Sequence, residues 1–127
     1  LGKIEIKGKD ALAFVNLMYT NSFTKMKPRT ARYGLMLGED GMVKDDGIVC
    51  KINDQHFITT TTTGGAANVL SHMEEYIQTE WPDMNVFINS IKIFNFGLCQ
   101  TYLIPSFCLF LNLTIFKYFL LIIQHIF

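Results

Sequence analysis

Acidic residues stop at Asp83: every Asp and Glu of the chain lies at or before it, and beyond it the only charged side chains are Lys92 and Lys117. Net charge is missing as well, with 11 Lys and Arg against 11 Asp and Glu. That balance excludes an electrostatic case for nucleic acid or an anionic membrane surface. Cysteine is scarce: Cys50, Cys99 and Cys108 form an odd set with no CxxC and no Cys/His cluster. No disulfide framework or metal-ligand spacing can be built from them, and they read as reduced thiols used as small apolar residues, which fits a cytoplasmic setting. No secretory signal or transit peptide is visible at the start, and the chain opens on Leu1 directly inside an alternating strand pattern. It therefore reads as a fragment whose true N-terminus lies upstream. There is no GxGxxG, His56 and His72 stand isolated, and no Ser/His/Asp arrangement can be assembled.

What is present divides into two halves of different composition. In the first, Gly2–Lys7 alternates with Ile4 and Ile6 on one face, as a half-buried strand does. A helix follows, with Asp10 near its start, where a carboxylate suits the unpaired amides and the dipole. Leu12, Phe14, Val15, Leu17 and Met18 form its apolar face, and Thr20–Asn21–Ser22 ends it. Thr24–Thr30 is basic and holds Pro28; with no glycine cradle beside it, a solvated connector is favoured over a phosphate site. Ala31–Leu37 and Met42–Ile52 read as strands around a Gly38–Gly41 hairpin turn, and Gln55–Thr62 as a third strand after Asn53–Asp54. Gly64–Gly65 opens a helix through about Thr79, whose buried side is Val69, Leu70, Met73, Tyr76 and Ile77. Trp81–Pro82–Asp83 stops it, and Met84–Ile91 alternates like another strand. The order β-α-β-β-β-α-β implies an α+β fold with a mainly antiparallel sheet and helices on one face.

Asp45 and Asp46 stand together in the middle of a strand. Successive strand side chains face opposite ways, so one of the two must point to the packed side, and an inward carboxylate is costly unless something pairs with it. Such a pair marks either a site or a solvated corner at a bulge, and the spacing alone leaves both open. Gly47, next in the chain, signals a bulge or a close approach by a ligand or another backbone.

The second half changes character. Leu98–Phe127 is almost wholly Phe, Leu, Ile, Tyr, Asn and Cys, and is long enough to span a bilayer, though Pro105, Asn112 and Lys117 interrupt it. Three readings of the 92–127 tail compete: an out-of-frame translation of AT-rich coding sequence, which is favoured, a transmembrane-like helix, and a buried core segment. The Asn112–Leu113–Thr114 sequon adds almost nothing in such a run.

LGKIEIKG at 1–8, YTNSF at 19–23, ARYGLML at 31–37, EDGMVKDDG at 39–47, ITTTTT at 58–63 and QTEWPDMNV at 78–86 resemble, in that order and spacing, the folate-binding aminomethyltransferase region of sarcosine oxidase α subunits. That region is similar to the glycine-cleavage T-protein and to dimethylglycine dehydrogenase. The resemblance covers residues 1–91 and implies a partial folate-binding aminomethyltransferase domain, fragment of an enzyme that captures the one-carbon unit of an oxidised N-methyl amine on tetrahydrofolate to give 5,10-methylenetetrahydrofolate. It carries the family's catalytic aspartate onto Asp46, with Asp45 as its outward neighbour. It places Tyr33 and Thr62 as the other folate contacts. It implies other subunits of a hetero-oligomeric oxidase as partners. FAD, FMN and NAD would belong to other parts of such an enzyme. The isolated chain is expected to be inactive.

There are departures from the family pattern. Cys50 stands where some T-proteins carry a pocket Tyr or Thr, and Gly64–Gly65 replaces an Ala-Asn pair. The family fold continues well beyond residue 91, and its later pocket residues have no counterparts here. Two alternatives remain: a T-protein or dimethylglycine dehydrogenase fragment, and a non-catalytic, membrane-tethered binding module if the tail is genuine.

Overall fold

The computed structural model describes residues 1–91. The three readings of the 92–127 tail, and the sequon within it, lie outside the described residues. Seven elements follow in the expected order: β1 (Gly2–Lys7), α1 (Ala11–Met18), β2 (Thr30–Leu37), β3 (Val43–Asn53), β4 (His56–Thr61), α2 (Ala66–Thr79) and β5 (Phe87–Ser90). The strands form one sheet in the order β2-β3-β4-β1-β5. Every pairing in it is antiparallel. The fold is α+β.

One face of the sheet is dry. Ile4 and Ile6 of β1, Met36 of β2, Val49 of β3 and Phe57 of β4 join Phe14 and Val15 of α1 and Val69 and Met73 of α2 in a single core. Both helices therefore pack on that face. Phe14 is fully buried, worth about 1.5–3 kcal/mol for an aromatic of this kind. Trp81 meets its ring edge to face, with centroids 6.1 Å apart. The helix α1 stripe is narrower than its text implies, because Leu17 is half exposed. Asp10 does not cap α1 either: its carboxylate accepts a hydrogen bond from the Asn85 N–H at 2.9 Å and so ties the approach to β5. On α2, His72 is buried beside Val69 and Met73, while Leu70, Tyr76 and Ile77 are partly covered.

The connector between α1 and β2 is anchored by two apolar side chains. Phe23 and Met26 are buried, and Lys25, Lys27 and Arg29 point to solvent. The hairpin between β2 and β3 closes where the Gly and Asp content indicates: the Gly41 N–H donates to the Gly38 carbonyl at 3.0 Å, with Gly41 at a φ of 76°. Tyr19, just past α1, lays its ring against Gly34 of β2, where an added Cβ would stand 2.9 Å from the ring. Its hydroxyl meets the Thr59 hydroxyl at 2.6 Å. Burial pushes the Tyr19 phenol up to about 12, against the opposing effect of the Thr59 hydrogen bond, and the Asp45 charge adds a smaller push in the same direction as burial.

Candidate functional site

The hairpin register decides which way each acid faces. Met36 pairs with Asp45, Leu35 with Asp46 and Leu37 with Val43, so Lys44 is the extra residue of a bulge. Directly opposed residues of an antiparallel pair share a face. Met36 is in the core, so Asp45 faces the core too, and it is 7% exposed. Asp46 faces the other side of the sheet. The expectation that Asp45 is the outward neighbour is thus reversed. Gly47 marks a close approach of another backbone: a Cβ there would sit 1.9 Å from the Thr60 carbonyl oxygen. The irregular register lies three residues earlier, at Lys44.

Tyr33 and Asp46 come together. Tyr33 pairs with Ile48 in register, two positions along from Leu35, which places it diagonally across from Asp46 on the same face. The Tyr33 hydroxyl donates a hydrogen bond to Asp46 Oδ2. That bond, and the negative charge behind it, raises the Tyr33 phenol above its ordinary value, so it stays a neutral donor at physiological pH. Tyr33 is 54% exposed and Asp46 is half-buried. Among the described residues, Asp46 Oδ1 receives no hydrogen bond, so the carboxylate is held through Oδ2 and keeps an acceptor to spare.

Thr62 lies one residue past β4 and is exposed. Its side chain forms no hydrogen bond with Tyr33 or Asp46 among the described residues. Its main chain is held: the Thr62 N–H donates to Asp45 at 3.2 and 3.4 Å from the two carboxylate oxygens. Gly65 fits closely beneath, since a Cβ there would lie 2.4 Å from Thr62 Oγ1 and 3.4 Å from Asp45 Oδ1.

The rest of this face is mixed. Cys50 is buried, paired in register with Ala31 on one side and Ile58 on the other. Ile58 leads to Glu5 on β1. His56, taken from the text as isolated, contacts Glu5 at 2.9 Å, and Lys7 reaches the same carboxylate oxygen at 2.7 Å. Partial burial would raise the Glu5 carboxyl, but Lys7 and His56 together hold it below its ordinary value. The strand alternation of β1 and β4 could have revealed this cluster once their register was known.

A separate cleft of about 300 Å³ lies on the helix side, lined by Lys44, Gly65, Asn68, Val69, Ser71, His72 and Glu75. It contains none of Tyr33, Asp46 or Thr62. Burial, reinforced by Lys44, lowers the His72 pKa against the pull of Glu75 and Glu39, so this ring is a neutral group at physiological pH. No cluster of His, Cys, Asp or Glu able to hold a metal occurs among the described residues. None of the described helices is long and apolar enough to cross a membrane.

Comparison with known proteins follows the same residues. Residues 1–97 match the family described as GCVT N-terminal domain. Sarcosine oxidase subunit alpha of Corynebacterium sp. (strain U-96) is 53% identical over 91 residues, 72% of this chain and 9% of that protein. An aminomethyltransferase of Anoxybacillus flavithermus is 34% identical over 77 residues, 61% of this chain and 21% of that protein. The crystal structure of glycine cleavage system aminomethyltransferase T from Bartonella henselae superposes with a TM-score of 0.65 over 72% of this chain and 24% of that one, at 18% identity. That likeness concerns the fold alone. The chain spans only about a tenth of the sarcosine oxidase subunits it matches, at 9% of their length.

Proposed function

This chain belongs to the GCVT N-terminal domain family, and from that membership we propose that residues 1–91 are part of a tetrahydrofolate-binding domain in a sarcosine oxidase α-subunit-like enzyme. The observation that carries the reading is the Tyr33–Asp46 pair on the sheet face away from the helices. The stronger match to sarcosine oxidase subunits than to aminomethyltransferases, 53% against 34% identity, favours the oxidase over the T-protein alternative.

The residues fit the ligand chemically. Tetrahydrofolate, when bound, supplies two secondary amine nitrogens that take up the CH₂ of the imine of oxidised sarcosine, their two hydrogens leaving on glycine. Amine N–H groups need acceptors, and Asp46 offers an oriented anionic one. Hydrogen bonds to a carboxylate are about twice as strong as neutral ones. The Tyr33 hydroxyl locks the carboxylate's rotamer by taking Oδ2, which leaves Oδ1 for the ligand. The same fixed negative charge would favour positive charge developing on a ligand nitrogen beside it, an effect that grows where water is excluded. Thr62 adds a hydroxyl able to donate or accept at the edge of the site. Other subunits and the redox cofactors would be supplied by the rest of such an enzyme.

The test is a chimera in which the 91 matching residues of the Corynebacterium sp. (strain U-96) subunit are replaced by those of this chain. With Asp46→Ala, sarcosine-dependent formation of 5,10-methylenetetrahydrofolate should fall by about a hundredfold or more, the scale of losing one preorganised charged group. Hydrogen peroxide release from sarcosine should continue, with free formaldehyde as the carbon product. Equal loss of both activities would make Asp46 a structural residue and remove the proposal's main support.

A further inference from the structure

We propose that Asp45 is a positioning residue of this site, holding the Thr62 segment in place against the strand that carries Asp46. The inference rests on the tetrahydrofolate reading above. The Asp45 carboxylate is buried and has no part in the ligand contacts assigned to Asp46, Tyr33 and Thr62. Asp45 is 7% exposed, opposite Met36 and close enough to Tyr19 to influence its phenol. A carboxylate in such surroundings destabilises the fold unless hydrogen bonds and positive charge compensate it. Here the compensation comes from the Thr62 N–H and from the entry to α2, since Asp45 Oδ1 lies 3.4 Å from where a Cβ of Gly65, the residue before α2, would stand.

The geometry gives this bond a task. The ladder between β3 and β4 begins at Val49 and Thr59. Toward the site, two bonds to side chains take its place: the Ile48 N–H to Thr60 Oγ1 at 2.9 Å, and the Thr62 N–H to Asp45. Asp45 therefore joins the residue beside Asp46 to the main chain of Thr62, across a stretch where no backbone ladder does so. One acid of the pair faces the ligand, and the other fixes the neighbouring segment from the opposite side of the sheet.

The experiment uses the same chimeric oxidase with Asp45→Ala and Asp45→Asn, reading KM for tetrahydrofolate, kcat for one-carbon transfer and the rate of sarcosine oxidation. Asp45→Ala should raise KM for tetrahydrofolate about tenfold, as a misplaced contact does, while kcat at saturation and sarcosine oxidation stay within about twofold. Asp45→Asn retains an acceptor for the Thr62 N–H and should return KM to within about threefold of the parent. If the Ala variant fails to fold, Asp45→Ser, which is too short to reach Thr62, takes its place with the same expectation. Unchanged KM in the Ala or Ser variant, alongside a normal loss of transfer in Asp46→Ala, overturns this inference and leaves the folate reading standing. A fall in kcat that Asn does not repair also overturns it, because Asp45 would then act on the chemistry. If Asp46→Ala leaves transfer intact, both fall together.

Discussion

Replacing Gly47 by Ala tests the geometry that sets the two acids apart. The added methyl would be placed 1.9 Å from the Thr60 carbonyl oxygen and 2.8 Å from its carbon. Both are backbone atoms, so no side chain can swing away. Relief requires β3 and β4 to separate by about 1.5 Å, the shortfall from ordinary van der Waals contact. That movement breaks the Ile48 N–H bond to Thr60 Oγ1 and the end of the ladder at Val49 and Thr59. Two hydrogen bonds at about 1 kcal/mol each, with overpacking strain of about 1–3 kcal/mol, give a total of about 3–5 kcal/mol. Urea unfolding followed by the fluorescence of Trp81, the only tryptophan, reads the change directly, since its ring packs on Phe14. Gly64→Ala is the matched control: nothing lies within 4 Å of its added Cβ. It should be neutral, or stabilise by up to about 1 kcal/mol through the unfolded chain. If Gly47→Ala unfolds at the same urea concentration as Gly64→Ala, the close approach of β3 and β4 is not as described.

Tyr19→Phe removes the buried hydroxyl that meets Thr59 at 2.6 Å, and unfolding in urea should show a loss of about 1 kcal/mol; no loss would mean that the Thr59 hydroxyl finds an equal partner. Acid should weaken the sheet through Glu5. Its folded-state pKa is lowered from 4.5 by Lys7 and His56, which outweigh burial, so its contribution is present above pH 4.5 and disappears as pH falls through the lower folded value. Glu5→Gln should flatten that acid limb of the stability profile, and an unchanged limb would assign the loss to other carboxylates.

Much of the architecture is legible in the text because its signals are local. GKIEIK alternates cleanly, the Gly38–Gly41 turn carries its own chemistry, and Phe14 and Val15 mark a helix face that the fold buries. The order β2-β3-β4-β1-β5 is not legible in this way, since β1 finds β4 and β5 across long stretches of chain. The same limit explains the reversal at Asp45 and Asp46. Alternation shows that one acid faces in, but choosing which one needs the partner strand, and the bulge at Lys44 appears only when Met36 and Leu37 are set against it. Leu17 misled because an eight-residue helix buries a narrow stripe. His72 was within reach: it sits three positions after Val69 and next to Met73, on the helix stripe already assigned to the core. Tyr33 and Asp46 came from the resemblance rather than from spacing. Their hydrogen bond lends that pairing a physical basis.

The most direct measurement is a crystal structure of the chimeric oxidase with 5-formyltetrahydrofolate, a folate that cannot accept the one-carbon unit at its blocked nitrogen. The account predicts the pterin side of the ligand on the sheet face of Tyr33 and Asp46, with a ligand nitrogen about 3 Å from Asp46 Oδ1 and the Tyr33 bond to Oδ2 retained. A ligand seated instead in the cleft beside His72 and Glu75, or one that leaves the Asp46 carboxylate facing solvent, would contradict it.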